Sequence, residues 1–353
     1  MDFADLSEML PAIQKGLHRS YRVERRAAPP TLRPYLDHLD EFTLRGGKRF
    51  RALMVLAGYH IATDRSPAPA IPAAQALEHF QSWMLIHDDI IDHSEERRGG
   101  PAMHRLLARP PVDGCPPERP EELGVGLGIT LGDLEEPFTL QAILDTRVPH
   151  SRKLAALAEY VRMTRLTAYG QILDIRNGAL PVERVTEADV LRVHRLKSAV
   201  YTVSSPLLLG ATLGGGSRAL LADLASIGDD IGVAFQLRDD LLGSGFGPED
   251  LGKSANDIRE GKRTLLVVRA WSRATGEGRR ALSEALGNPR ATPAQVAAAR
   301  DVIESTGSRE YSEMRIAALE RRALRRLDRG RSIPVARRAL IREISDRLVR
   351  RSR

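Results

Sequence analysis

A single cysteine, Cys115, stands in 353 residues. That excludes an internal disulfide framework and any multi-cysteine metal site. It sits in the proline-rich stretch PPVDGCPPERP and is not read as a nucleophile. No run approaches 18 consecutive apolar residues, so no membrane-spanning helix and no integral membrane association are expected. The first residues, MDFADLSEML, are acidic and lack a basic-then-apolar signal pattern, which leads to the expectation of a cytoplasmic protein. Aromatics make up only 5%, and alternating strand patterns are scarce. There is no GxxxxGK[ST] loop, no GxGxxG after a strand, no GxSxG and no HExxH, which argues against P-loop phosphoryl transfer and nucleophilic hydrolysis.

Lysine is also scarce. Of 53 basic residues only six are lysines: Lys15, Lys48, Lys153, Lys197, Lys253 and Lys262. In an arginine-rich chain, a retained lysine marks a place that needs a compact ammonium in place of a planar fork. Four of the six fall inside the motifs below. The net charge of +7 is equally uneven. Residues 315–353 hold fourteen arginines against Glu320, Asp328, Glu343 and Asp346. The readings open for this segment are a solvated helical surface, a lid over an anionic substrate, or contact with nucleic acid or anionic lipid.

What is present is helical pattern nearly throughout. Residues 154–175 and 190–213 repeat apolar positions at three- and four-residue spacing. Thr186 to Asp189 and Thr292-Pro293 read as helix starts. Breakers fall at 62–72, 110–120, 213–217, 243–252 and 330–334. The hydrophobic share of 42% supports a sizeable core. The expected product is a single all-α domain over 1–353, about ten helices in one large bundle around a central active-site cavity, with an N-terminal helical extension (1–30) and a basic C-terminal segment (315–353).

Two acidic motifs follow apolar helical runs. In His87-Asp88-Asp89-Ile90-Ile91-Asp92, Asp88 and Asp92 share a helix face about 6 Å apart along the axis. Paired carboxylates repel unless a cation lies between them, and hard oxygen ligands suit Mg²⁺. The second motif, Gln236-Leu-Arg-Asp239-Asp240-Leu-Leu-Gly243, has a similar pair but lacks an acid at 243. Cations accompany both. Gly46-Gly47-Lys48-Arg49-Phe50-Arg51 brings three to a glycine pair, and Arg97-Arg98-Gly99-Gly100 follows the first acids. Lys197 lies mid-helix, and Lys253 and Lys262 flank Asp257. Magnesium with lysine and arginine is suited to gripping diphosphates.

These motifs, over about residues 40–270, resemble the trans-isoprenyl diphosphate synthases of the polyprenyl synthetase family, particularly the short-chain geranylgeranyl and farnesyl diphosphate synthases. The resemblance implies an all-α isoprenoid synthase fold, a homodimer, and condensation of an allylic diphosphate (C5–C15) with isopentenyl diphosphate, releasing pyrophosphate. It implies about three Mg²⁺ ions. By the same resemblance Asp88, Asp89 and Asp92 would bind metal on the allylic diphosphate, with Asp239 and Asp240 holding the rest. Arg97 would touch the allylic diphosphate, as would Lys197, Lys253 and Lys262. Lys48, Arg51, Arg98 and Gln81 would hold isopentenyl diphosphate. Ser198 replaces a threonine, and Gln171, Asp174, Gln236 and Asp257 match positions near the site. Gly243 departs from the pattern, and metal binding is expected to survive through Asp239 and Asp240. The basic C-terminus is a candidate lid over the isopentenyl site.

In the family, residues five and eight before the first acid help to end the product tail. Here they are Trp83 and Phe80, with Met84 between Trp83 and the motif. Trp83 lies about 7.5 Å below Asp88 along the helix. The bulk of Phe80 and Trp83 favours a short product, C20 over C15. A terpene cyclase would need a different second motif and no isopentenyl-binding cations. A non-catalytic regulatory subunit of a heteromeric synthase is the alternative, yet such subunits tend to lose the aspartates kept here. No nucleic-acid-binding motif accompanies the basic tail, so no nucleic-acid partner is expected.

Overall fold

In a computed structural model that describes residues 1–109, 117–247 and 256–350, the chain is almost wholly helical. Cys115, Lys253 and residues 351–353 lie outside the described residues. The chain divides into two compact units, residues 1–158 with 209–216, and residues 159–208 with 217–353.

The first unit contains α1 (Phe3–Ser7), α2 (Leu10–Ala27), α3 (Arg33–Leu44), α4 (Phe50–Thr63), α5 (Ile71–Ile91), strands β1 (Glu96–Arg97) and β2 (Gly100–Pro101), α6 (Met103–Leu107) and α7 (Pro120–Leu144). Its core includes Leu36, Leu39, Phe42, Ile86, Met103, Leu107 and Leu131. Along α5 every residue from Ala76 to Ser82 is buried. A helix surrounded on all sides has no solvent-facing stripe, so the polar residues buried on it, Glu78, His79, Gln81 and Ser82, stand inside the unit with the apolar ones.

Its rotation is fixed by a buried polar network. The Tyr21 hydroxyl donates to Glu135 Oε1 at 2.6 Å and lies 2.8 Å from Thr43 Oγ1. His79 Nδ1 lies 2.8 Å from Glu135 Oε2, and Ser82 Oγ 2.8 Å from Thr43 Oγ1. These groups sit on α2, α3, α5 and α7. Buried polar atoms left unpaired are costly, so the network admits one angular setting of α5. That setting decides where the acids two turns further on point.

The second unit takes in most of α8 (His150–Ala179), then α9 (Glu187–Val193), a π-helical stretch over His194–Ser204, the start of α10 (Ser205–Gly214), α11 (Arg218–Gly243), α12 (Asn256–Arg259), α13 (Leu265–Arg273), α14 (Gly276–Ala285), α15 (Pro293–Ser305), α16 (Ser308–Arg329) and α17 (Val335–Val349). The cap readings hold: Thr186 and Thr292 each form a capping box, with Pro293 opening α15. The π-helical stretch is wide, and small residues let its neighbours close on it. A Cβ at Gly170 would stand 2.2 Å from the Lys197 backbone nitrogen, and one at Gly232 would stand 2.6 Å from Ala199 Cα.

The basic C-terminal segment is built into this unit. Arg322 holds the buried Asp230 of α11 through two hydrogen bonds, at 2.8 and 2.5 Å. Arg315 pairs with Glu187 at 2.8 Å. Arg238 of α11 makes a two-point bridge to Glu313 at 2.6 and 2.7 Å and donates to the Val349 carbonyl. Several of its arginines therefore bind protein carboxylates. Among the described residues no helix is long and apolar enough to cross a membrane.

Candidate active site

The first cluster forms at the end of α5. Asp88 is partly exposed, Asp92 caps the helix in the open, and Asp89 between them is fully buried. Consecutive helical residues point about 100° apart, so a paired DD cannot aim both acids the same way. Asp89 Oδ1 takes two hydrogen bonds from Arg97, through Nε at 2.8 Å and through Nη2. Burial lifts the Asp89 carboxyl above the usual range, with Arg97 working against that rise. Asp89 Oδ2 is buried without a hydrogen-bond partner.

Arg97 and Arg98 sit on a β-hairpin whose two-residue turn is Arg98-Gly99, both with positive φ (53° and 76°). That is the turn geometry a right-twisted two-residue hairpin requires. Arg45 fastens the hairpin, donating to the carbonyls of Arg97 (3.2 Å) and Pro101 (2.8 Å) while holding Glu41. A Cβ at Gly100 would meet the Arg45 guanidinium at 2.5 Å, so a larger residue there would push Arg45 off the hairpin.

The Arg98 guanidinium lies across Gly47, 3.4 Å from where a Cβ would stand. Burial and the neighbouring cations Arg49 and Arg51 lower its pKa, the balance of a site that gathers positive charge. The loop before α4 carries that charge. Lys48 is exposed and Arg51 half-buried, whereas Arg49 turns inward at φ 52°. Its guanidinium donates to Glu78 Oε2 at 2.7 Å and to the Thr43 carbonyl at 2.6 Å. Of the three cations in GGKRFR, the middle one is therefore a tether. The sequence shows no local sign of this, since Glu78 lies 29 residues away. Gln81 is buried on α5.

The second cluster is assembled in the other unit. Asp239 is half-buried and Asp240 buried. Asp240 Oδ2 lies 2.8 Å from His194 Nε2, and its Oδ1 accepts from Gln236 Nε2 at 3.0 Å. Burial alone would push Asp240 up and His194 down. The charge of each partner outweighs that, so Asp240 is lowered and His194 raised, the signature of an ion pair. Nothing local in the sequence marks His194 as a partner of Asp240, 46 residues away. His194 opens the π-helical stretch that carries Lys197 and Ser198, and such widened turns recur at functional sites. Lys197 Nζ donates to Asp174 at 2.6 Å, and Gln171 stands one turn earlier on α8. Lys262 pairs with Asp257 at 3.0 Å and Glu260 at 2.8 Å. Burial opposes its charge, and these acids raise its pKa in spite of that.

The two acidic motifs thus share a plan: one buried acid gripped by a base, beside a more exposed one. Among the described residues no three His, Cys, Asp or Glu side chains converge as a metal cage. The donor chemistry nonetheless fits Mg²⁺. The exposed donors of the first motif are hard carboxylate oxygens, and Mg²⁺ keeps several waters while taking one or two carboxylates plus substrate phosphate oxygens.

Beneath the first cluster, Phe80 is fully buried and packs edge-on to Trp83, ring centroids 5.8 Å apart. Trp83 in turn meets His87 at 6.3 Å. Met84 is half-buried.

The family model described as Polyprenyl synthetase matches residues 33–303. The chain is 30% identical over 315 residues to the geranylfarnesyl diphosphate synthase of Aeropyrum pernix, covering 87% of this chain and 91% of that protein. It is 33% identical over 285 residues to the short chain isoprenyl diphosphate synthase of Methanothermobacter thermautotrophicus, covering 80% of each. Among solved structures, the geranylgeranyl pyrophosphate synthase of Corynebacterium glutamicum, complexed with isoprenyl diphosphate and magnesium, superposes with a TM-score of 0.89. It is 32% identical and covers 99% of this chain and 100% of that one.

Proposed function

The chain belongs to the polyprenyl synthetase family, and from that premise we propose that it joins an allylic diphosphate to isopentenyl diphosphate, giving a C20 prenyl diphosphate and pyrophosphate. It is a transferase, a prenyl diphosphate synthase. The observation that carries the reading is the doubled plan of braced acids and gathered cations, one set on α5 and its hairpin, the other on α11 and the π-helical stretch.

These placements support the following residue roles. Asp88, Asp92 and Asp239 are the acids that would hold magnesium, with Asp89 and Asp240 fixing them from behind through Arg97 and His194. Bound magnesium would supply positive charge to a departing diphosphate. Arg97, Lys197 and Lys262 steady the allylic diphosphate, together with Lys253, which takes this role from the family pattern. Lys48, Arg51 and Arg98 grip isopentenyl diphosphate, and Gln81 stands beside them. Ser198 and Gln236 support Lys197 and Asp240.

The reaction breaks the C1–O bond of the allylic diphosphate, and the electron pair leaves with pyrophosphate. The alkene of isopentenyl diphosphate forms the new C–C bond, and one proton is lost to regenerate a double bond. Fixed cations in a dry site stabilise the leaving charge without reorganising, and holding both substrates at close range removes the entropy of encounter.

Trp83 and Phe80 form the floor that ends the growing tail, with Met84 nearby. The enzyme acts as a cytoplasmic homodimer. Along α8, Val161 and Ile172 are 58% and 61% exposed. At 100° per residue they fall on one line of the helix, an apolar stripe suited to a second copy.

The test is an assay of the purified chain with Mg²⁺, isopentenyl diphosphate and, separately, C5, C10 and C15 allylic diphosphates, reading pyrophosphate and product length together. A C20 product that disappears with chelator is expected. No product from any allylic substrate would overturn the assignment.

A further inference from the structure

Gly243 ends α11 where the family pattern has an acid. A Cβ built there stands 2.0 Å from Asp257 Oδ2 and 2.6 Å from Asp257 Cγ. The carboxyl of Asp257 thus occupies the space that a side chain at 243 would fill. Asp257 is only 15% exposed, and its other oxygen accepts from Lys262 Nζ at 3.0 Å. The Lys262 backbone nitrogen also donates to the Asp257 carbonyl at 3.0 Å. An aspartate has two side-chain torsions and few places to go, and this one is held at both ends.

We propose that the glycine at 243 is a steric requirement: it lets Asp257 dock against the end of α11, and Asp257 is the positioning residue that aims the Lys262 ammonium. Nothing was merely lost from the second motif. The carboxylate at that spot comes from α12. The inference rests on the reading of Lys262 as a diphosphate-binding cation.

Two measurements test it. The first is thermal melting of the full chain. Gly243 is not in the left-handed region, so alanine there ordinarily raises stability by restricting the unfolded chain. Here Gly243→Ala is expected to lower Tm. In an Asp257→Gly background the same substitution is expected to raise it, because the collision is gone. A Tm that rises in both backgrounds overturns the docking.

The second is calorimetric titration with Mg²⁺ and pyrophosphate, alongside steady-state kinetics. Gly243→Asp, which restores the family acid, is expected to weaken pyrophosphate binding. Asp257→Asn is expected to raise KM for the allylic diphosphate about ten-fold, the worth of one hydrogen bond to a charged group, with KM for isopentenyl diphosphate unchanged. Tighter pyrophosphate binding by Gly243→Asp, or an unmoved allylic KM in Asp257→Asn, overturns the positioning role. A wild-type chain that makes no product would fail the activity proposed above, while the melting comparison would still decide whether Gly243 and Asp257 are coupled.

Discussion

Removing the carboxylate of Glu78 tests whether the cation-bearing loop is held from within. Glu78 and Arg49 are each 2% exposed, and their bridge is 2.7 Å long. In Glu78→Ala the guanidinium keeps its bond to the Thr43 carbonyl but loses the only opposing charge that bonds it. Breaking a buried pair from one side costs about 3–5 kcal/mol, because an uncompensated charge stays behind. For a chain of this length that is a fall in Tm of roughly 4–7 °C.

The pair itself adds less than its rupture costs. Arg49 Nε and Glu78 Oε1 are both buried without hydrogen-bond partners, so part of the desolvation is never repaid. Arg49→Met with Glu78→Leu is therefore expected to melt near the wild type. Its loop should nonetheless be loose. Arg49 stands at φ 52°, a conformation that costs a non-glycine residue about 1–3 kcal/mol and persists only when its surroundings impose it. Lys48 and Arg51 flank that residue. The double variant should accordingly keep its Tm while KM for isopentenyl diphosphate rises and KM for the allylic substrate does not. Melting curves and two substrate titrations decide the matter. A Glu78→Ala protein that melts within about 1 °C of wild type, less than the shift expected for 1 kcal/mol, refutes the uncompensated-charge argument. A double variant with unchanged isopentenyl KM refutes the tether.

Four other outcomes are expected. Trp83→Ala should lengthen the product by one C5 unit, because the next bulky side chain, Phe80, lies three residues or about 4.5 Å lower on the helix; chromatography of the dephosphorylated product reads this, and an unchanged distribution removes Trp83 from the floor. His194→Ala should cost about 3–5 kcal/mol in denaturant unfolding by stranding the buried Asp240, with a loss of activity larger than that from Arg195→Ala, whose exposed bridge to Asp229 is worth under about 1 kcal/mol. Val161→Glu combined with Ile172→Arg should convert a dimer to a monomer in light scattering; a dimer that survives places the interface elsewhere. Chelation should abolish product formation and readdition of Mg²⁺ restore it, whereas activity persisting in chelator would contradict the acid roles.

Much of the fold was legible in the sequence because helices announce themselves through spacing and caps. Thr186 and Thr292 were readable as starts from residue type alone. The π-helical stretch was not. Residues 190–213 keep an apolar rhythm close enough to the α period to pass as one helix, yet the backbone widens from His194 to Ser204. Widening shifts the angular position of everything after it, so His194 could not be placed opposite Asp240 from spacing. Arg49 was equally hidden, since a tether and a ligand look alike in a run of cations.

Within each acid pair the helical period separates a buried acid from a more exposed one. In α5 the buried positions Ser82, Ile86 and Asp89 follow an i, i+4, i+7 rhythm, and in α11 Val233, Leu237 and Asp240 do the same. The second acid of each pair therefore continues a buried stripe, while the first steps off it by one residue, about 100° around the helix. A charge on the buried stripe must find a partner or neutralise. Asp89 found Arg97 and Asp240 found His194, so in each pair one acid is braced by a base. Read by chemistry alone, DD is two equivalent carboxylates; read against the helical period, it is one more exposed acid and one buried acid that holds a base in place.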